Sequence, residues 1–376
     1  MKKLQMVDLK SQYEKIKEEV NAFIQDVLEN NTYINGPLVH QFQADLEKYL
    51  GAKHVIPCAN GTDALQIAMM GLGLQPGDEV ITADFTFAAT VEVIALLQLT
   101  PVLVDVDINN MNISLDGIRK AITPKTKAIV PVHLFGRAAN MDAIMEIANE
   151  HNLYVIEDNA QAIGADYTNK EGIKKKVGTI GHVAATSFFP SKNLGCYGDG
   201  GAIFTNDDNL AHIIRGIVNH GMYERYHHDV VGVNSRLDSI QAGVLKAKLP
   251  NLDAYNLARK TAAKKYNEAL AVNSNIVVPS FDFNGDDHVF HQYVIRITNG
   301  KRDALLAHLQ EKEIPCAIYY PIPLHSQKAY ADVRYKEEDF PVTNQLCKEV
   351  IALPMHTELD DEQIKFITDT VLEFLK

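Results

Sequence analysis

Two ionisable side chains stand where α/β folds collect their chemistry. Lys192 closes the hexapeptide Ser187-Phe188-Phe189-Pro190-Ser191-Lys192 and is followed by Gly195-Cys196-Tyr197-Gly198-Asp199-Gly200-Gly201. The apolar run from Val183 to Phe189 reads as a buried strand, so Lys192 falls a few residues past a strand end. A second apolar strand, Tyr154-Val155-Ile156-Glu157, stops on Asp158. A lysine beside glycines is usually a solvated loop residue, and the strand ends are what change that reading. One amine and one acid at the rim of a single sheet suggest an electron-sink cofactor held between them.

The chemistry follows from the residue types. A buried carboxylate at Asp158 is costly unless a cation pairs with it, and a protonated pyridine nitrogen would supply one. At about 4 Å and an effective dielectric near 20 the attraction is about 4 kcal/mol, which is roughly three pKa units. That keeps such a ring protonated, and therefore electron-withdrawing, at neutral pH. Lys192 could form a Schiff base and, once displaced by a substrate amine, carry protons. Upstream, Asn60-Gly61-Thr62-Asp63-Ala64-Leu65 follows the first predicted strand and opens a helix. Its free N–H groups and the Thr62 hydroxyl could hold a phosphate, the alternative being a plain helix cap at Asn60. Phosphate cradle, ring acid and lysine in that chain order describe a pyridoxal phosphate enzyme. Phe85, in Asp84-Phe85-Thr86-Phe87, begins the predicted helix after the second strand. Its flat side chain could stack on the ring or simply pack in the core.

The elements that must position these groups can be traced in order. Residues 1 to 31 carry a helix, because Tyr13, Ile16, Val20, Phe23, Ile24 and Val27 recur at helical steps before Asn30-Asn31. A turn at Tyr33 to Pro37 leads into a helix from Leu38 to Leu50. Strands are predicted at His54–Cys58, Glu79–Thr82, Pro101–Val106, Ala128–His133, Tyr154–Glu157, Val183–Phe188 and Ala202–Thr205, with helices between most of them. That alternation predicts an α/β fold with a mostly parallel sheet between helices. Asn169 to Gly178, with Lys174-Lys175-Lys176, reads as an exposed loop or hairpin rather than a functional basic patch. A helical pattern from Ser239 through Leu270 leads into His291–Ile297, which alternates like a half-exposed strand. A helix at Arg302–Lys312, a strand near Ala317-Ile318-Tyr319-Tyr320 and a capped helix at Asp360–Leu375 complete a smaller α+β module. The boundary is placed near residue 250, giving a large domain of residues 1–250 and a small one of 251–376.

Composition narrows the function. The 376 residues are 46% hydrophobic and 22% charged, as in soluble globular proteins. A net charge of -12 and a pI near 5.6, with no helix-turn-helix signature, argue against nucleic-acid binding. The four cysteines form no CxxC pair, so neither a disulfide framework nor a zinc cluster is expected and a reducing cytoplasm fits. No apolar stretch approaches the roughly 18 to 20 residues of a membrane span, and Met1-Lys2-Lys3-Leu4-Gln5 leads into an amphipathic helix, not a signal-peptide core. His227-His228 lack an HExxH pattern or carboxylate partner and point opposite ways in a strand, so no metal is expected there.

Asn60 to Leu65, Glu157-Asp158-Asn159-Ala160-Gln161, the SFFPSK hexapeptide with its glycine-rich tail, and Gly232-Val233-Asn234-Ser235-Arg236-Leu237-Asp238 together resemble the DegT/DnrJ/EryC1/StrS family of sugar aminotransferases. These belong to the fold type I pyridoxal phosphate enzymes, and the similarity runs from Val7-Asp8-Leu9 to Leu353-Pro354-Met355-His356. The resemblance implies Lys192 as the Schiff-base lysine, Asp158 as the pyridinium partner and Gln161 beside the cofactor hydroxyl. It implies Gly61, Thr62 and Ser187 on the phosphate, with Asn234 reaching the phosphate in a neighbouring subunit, hence a homodimer with shared sites. It also implies an L-glutamate donor and a nucleotide-linked 3-keto sugar as acceptor. The stretch from Arg225 to Asp238 favours UDP-2-acetamido-2-deoxy-3-keto-D-glucuronate and bacterial surface polysaccharide (O-antigen) synthesis; a dTDP-3-keto-6-deoxyhexose is the alternative. Arg236 suits a uronic or glutamate carboxylate, and Tyr319, Tyr320 and His325 are expected to line the substrate pocket. Where the family pattern reads His-Tyr-Pro-Ile-Pro-Leu this chain has Tyr319-Tyr320-Pro321-Ile322-Pro323-Leu324, a departure that touches the sugar contact and not the cofactor chemistry. Sugar dehydration is disfavoured because relatives that dehydrate replace the lysine by histidine. A non-catalytic cofactor-binding regulator is disfavoured by intact Lys192, Asp158 and Gln161.

Overall fold

A computed structural model describes residues 2–282, 285 and 287–376; Met1, the first residue of the expected large domain, lies outside the described residues. The chain opens with α1 (Leu9–Asn30), whose first turn is capped by Asp8 accepting from the Ser11 N–H at 2.9 Å, and α2 (Pro37–Leu50). There follow β1 (His54–Cys58), α3 (Gly61–Gly71), β2 (Glu79–Ala83), α4 (Ala89–Leu96), β3 (Thr100–Val104), α5 (Leu115–Ala121), β4 (Thr126–Val130), α6 (Met141–His151) and β5 (Tyr154–Asp158). A hairpin of β6 (Asp166–Thr168) and β7 (Lys174–Lys176) precedes β8 (Val183–Ser187), β9 (Gly201–Thr205) and α7 (Asp208–Ile217).

Seven strands form one sheet in the order β1-β9-β8-β5-β4-β2-β3. Neighbours from β8 to β3 pair in parallel, while β9 runs antiparallel to both β8 and β1. The two faces are read off by strand alternation. Ala184, Ala202 and Phe204 pack under α1 and α2 with Phe42 and Leu46; Val183, Ala185 and Ile203 pack under α3 and α7 with Ile67 and Ile214. Each such valine, isoleucine or phenylalanine contributes about 1.5–3 kcal/mol on full burial, which is why these strands are apolar on both sides.

A small exposed ribbon of β10 (Met222–Glu224) and β11 (His227–His228) leads to α8 (Ser239–Lys248) and α9 (Leu252–Leu270). The sequence pattern predicts one helix here, but Leu249–Asn251 form a 3-10 turn around Pro250, which has no N–H to continue the ladder. Beyond it, β12 (Ile276–Val277), β13 (Tyr293–Ile297), α10 (Arg302–Glu311), α11 (Pro341–Glu349), β14 (Val350–Leu353) and α12 (Asp361–Leu375) complete the chain. β13 is not half-exposed as its alternation suggested: it is the middle strand of the β12-β13-β14 sheet and every residue is buried. The strand expected at 317–320 does not form. Ala317 pairs with Ala352 (3.2 and 2.8 Å), and the chain then leaves the sheet edge. Leu4 joins the apolar cluster of this second sheet, beside residues of α9, β13 and α12.

Candidate active site

The carboxyl ends of β1, β2, β4, β5 and β8 converge on a cavity of about 590 Å³, within the usual range for small-molecule sites. At one end lies the N-terminus of α3. Asn60 caps it by accepting from the Asp63 N–H at 2.8 Å, which leaves the Gly61 and Thr62 N–H groups of the first turn without an intrahelical acceptor. A Cβ on Gly61 would meet the Ser187 Cβ at 2.7 Å and lie 3.3 Å from its hydroxyl, so glycine lets the end of β8 close against this turn. Two amides and two hydroxyls, Thr62 and Ser187, thus line the positive end of a helix.

Asp158 ends β5 and is buried; its Oδ2 accepts from the Thr90 hydroxyl (2.8 Å) and its Oδ1 from the Ala160 N–H (3.1 Å). Burial pushes its carboxyl above the ordinary value, against the pull of those bonds and of Lys192. The preceding Glu157 is a buttress. It accepts from the N–H groups of Gly178, Ile180 and Gly181 at 2.6–2.8 Å and from His133 Nε2 at 3.0 Å. His133 Nδ1 accepts the Ala139 N–H, so the network assigns the neutral, Nε2-protonated ring. Although burial opposes it, these bonds hold the Glu157 carboxyl below its ordinary value.

Lys192 reaches the cavity from the loop joining β8 to β9. The loop is tied at its feet, Phe188 N–H donating to Gly200 O (2.7 Å) and Cys196 N–H to Phe188 O (2.8 Å), and beside the lysine, where Asn193 donates to Asn256 and Val289 O. Burial lowers the Lys192 amine to about 8, with Asp158 acting in the opposite sense. Gln161 is fixed from both ends: its Oε1 accepts from Phe135 N–H (2.6 Å) and its Nε2 donates to the Tyr320 hydroxyl (3.1 Å).

Gly61, Thr62, Asp158, Gln161, Ser187, Lys192, Tyr319 and Tyr320 therefore meet in one cavity. Four sequence candidates do not line it. Phe85 is buried in the bend before α4, edge-on to Phe135 and Tyr320, and does not begin the helix, which starts at Ala89. Phe87, two residues on and 57% exposed, lines the cavity in its place. Asn234 is exposed at the bridge to Asn219, and Arg236 donates to Asn219 Oδ1 (2.9 Å). His325 is bonded to Asp84 outside the cavity. Thr90 and His291 were missed. Thr90 is a helical residue whose role needs β5 beside it, and His291 lies in the wall with its Nδ1 unpartnered among the described residues. Burial, and then Lys192 and Arg259, hold that imidazole well below its ordinary value, so it is neutral.

These residues fit pyridoxal phosphate. The unpaired amides at α3 suit its phosphate, the buried Asp158 needs a cation of the kind its ring nitrogen offers, and the lowered amine of Lys192 suits its aldehyde. A sheet of this order carrying an acid and a lysine at its carboxyl rim defines a fold type I pyridoxal phosphate-dependent aminotransferase. The DegT/DnrJ/EryC1/StrS aminotransferase family matches residues 14–372, and the chain belongs to it. It is 47% identical over 364 residues to the UDP-2-acetamido-2-deoxy-3-oxo-D-glucuronate aminotransferase of Pseudomonas aeruginosa, covering 97% of this chain and 98% of that one. It is 46% identical over 373 residues to the pleiotropic regulatory protein of Geobacillus stearothermophilus, covering 99% and 98%. The fold superposes on S. venezuelae DesV, solved in complex with a ketimine intermediate, with a TM-score of 0.94 at 38% identity, covering 100% of this chain and 99% of that one.

Proposed function

We propose that the protein transfers an amino group from L-glutamate to the 3-keto position of a nucleotide-linked sugar. The acceptor we favour is UDP-2-acetamido-2-deoxy-3-keto-D-glucuronate, in a cytoplasmic step of bacterial surface polysaccharide (O-antigen) synthesis. The observation that carries the reading is the convergence of Lys192, Asp158 and the α3 amides on one cavity. Pyridoxal phosphate, when bound, supplies the electron sink that lets an amino group pass between carbon skeletons. Gly61, Thr62 and Ser187 would hold its phosphate, Asp158 would pair with its ring nitrogen, and Gln161, fixed by Phe135 and Tyr320, would sit beside its hydroxyl. Phe87, at the cavity's outer wall, would lie over the ring. The Lys192 Nζ, freed as a neutral amine, takes a proton from one carbon and returns it to another.

Asn234 and Arg236 do not line the cavity of their own chain; Asn234 is exposed, as are Tyr226 (75%) and Val231 (85%) nearby, and Arg236 is half-buried. That supports a homodimer in which each chain lends these two residues to the other's site. The break at Pro250 supports a division into a large part, residues 1–250, and a smaller α+β part, residues 251–376, with Leu4 reaching across it. The test is a panel of nucleotide keto-sugars offered with glutamate, with mass analysis of the product. The UDP-uronate is expected to be aminated; amination of a 6-deoxy sugar alone would move the substrate and keep the reaction. A non-catalytic regulator would form no 2-oxoglutarate, and Lys192→Ala retaining the native rate would end the catalytic reading.

A further inference from the structure

The cavity has an outer wall that its chemistry does not explain. One side is the segment after β2, which carries Thr86 and Phe87; the other is the stretch leaving Ala317, which carries Tyr319 and Tyr320. Phe87 and Tyr320 approach with ring centroids 6.3 Å apart. Neither segment is held by a strand or helix at these residues. What joins them lies behind the wall. Asp84, the first residue past β2, accepts the His325 N–H on Oδ1 and the His325 Nδ1–H on Oδ2, both at 2.7 Å, and its carbonyl accepts the Leu324 N–H at 3.3 Å. The Asp84 side chain is fully buried and that of His325 is 6% exposed. The imidazole stacks on Phe340 at 4.5 Å, and Leu324 and Phe340 pack with Val91 of α4 and Leu103 of β3.

We propose that Asp84 and His325 form a strut that sets the width of the cavity's outer end, and that His325 is a positioning residue for the acceptor sugar. Two charge-assisted bonds to one buried carboxylate hold the chain at His325, five residues beyond Tyr320, and the Asp84 carbonyl holds Leu324 beside it. Of the groups placed on the cofactor, Asp158, Gly61, Thr62 and Lys192 stand at the end of β5, on α3 and on the β8–β9 loop and bond to none of residues 319–326 among the described hydrogen bonds, while Gln161 is bonded to Tyr320 but is also held by the Phe135 N–H. Glutamate is small and reacts beside Lys192; a nucleotide sugar is larger and must lie between the two walls. Loss of the His325 donor therefore acts on the acceptor and spares the donor. This rests on the reading of the acceptor as a nucleotide-linked sugar.

The test uses the cofactor-loaded protein and three variants. His325→Phe keeps the stack on Phe340 and removes the Nδ1 donor, His325→Leu removes both, and His325→Asn puts an amide N–H where Nδ1 stood. Hydrogen exchange of the peptide spanning Leu324 and His325 should quicken about tenfold or more in His325→Phe and His325→Leu and return towards native in His325→Asn. KM for the keto-sugar should rise about tenfold in the first two. Single-turnover reaction with glutamate and the cofactor absorbance should stay within about twofold of native. Unchanged exchange in His325→Phe overturns the strut, and so does an equal fall in both half-reactions. If His325→Leu does not fold, the Phe and Asn pair decides alone. If the native protein accepts an amine from glutamate but passes it to no keto-sugar, the proposed function fails while the exchange measurement still judges the strut.

Discussion

Replacing Asp158 by asparagine isolates one charge. Ala160 N–H donates to Oδ1 and the Thr90 hydroxyl to Oδ2. Asparagine can keep its oxygen on the fixed Ala160 N–H and turn its NH₂ to Thr90, whose hydroxyl rotates to accept. Geometry is kept and the negative charge is lost. At about 4 Å and an effective dielectric near 20, 332/(20 × 4) gives about 4 kcal/mol for its attraction to a ring cation. That is about three pKa units, enough to leave the ring unprotonated at neutral pH, and about 10³ in rate if the whole difference falls on the transition state. Stability moves the other way. An acid whose folded pKa is raised, as burial raises that of Asp158, is destabilising once ionised, so its removal stabilises the cofactor-free protein at neutral pH. The assay pairs single-turnover absorbance with glutamate and thermal unfolding without cofactor. A fall of about 10³ in rate with no fall in Tm is expected; a fall of less than about tenfold, or an activity loss matched by lost stability, would refute the reasoning.

Three further outcomes follow from the same geometry. Because burial lowers Lys192 to about 8, its neutral fraction rises as pH passes through that value. The rate at which cofactor-free protein captures pyridoxal phosphate should climb with a midpoint there, and a midpoint above about 10 would mean an ordinary solvated lysine. Gly61→Ala places a Cβ 2.7 Å from that of Ser187, forcing apart the two segments read as the phosphate cradle. Cofactor affinity in a fluorescence titration should weaken about tenfold or more, with roughly 1–3 kcal/mol lost from the folded state. Lys248 is 1% exposed, donates to Gly195 O at 2.7 Å and lies over the Tyr197 ring, and burial lowers it to about 8. A lysine with a depressed folded pKa costs stability below that pKa and less above it. Denaturant unfolding should thus show the native protein gaining about 1 kcal/mol on Lys248→Met between about pH 7 and pH 9.

Strand His54–Cys58 was readable to the residue, because period and punctuation agree over that stretch. The apolar runs that became β5 and β8 were readable for the same reason, and with them the placing of Asp158 and Lys192 at one rim. The aromatic over the cavity was not. Phe85 and Phe87 flank Thr86 in a bend, and which of them turns inward depends on Phe135 and Tyr320, distant in sequence. Tyr293–Ile297 looked half-exposed because its alternation hides what covers each face, β12 and β14 at its edges and helices beyond. His325 sat in a stretch that pointed to substrate, and only the fold reveals the carboxylate of Asp84 behind it.

The smaller sheet's apolar cluster draws Leu4 together with Val371 and Leu375. On a ribosome the first of these emerges long before the other two have been translated. That cluster therefore cannot close until residues 371–375 have been made, and the nascent chain must carry its unfinished half uncovered while the larger sheet assembles.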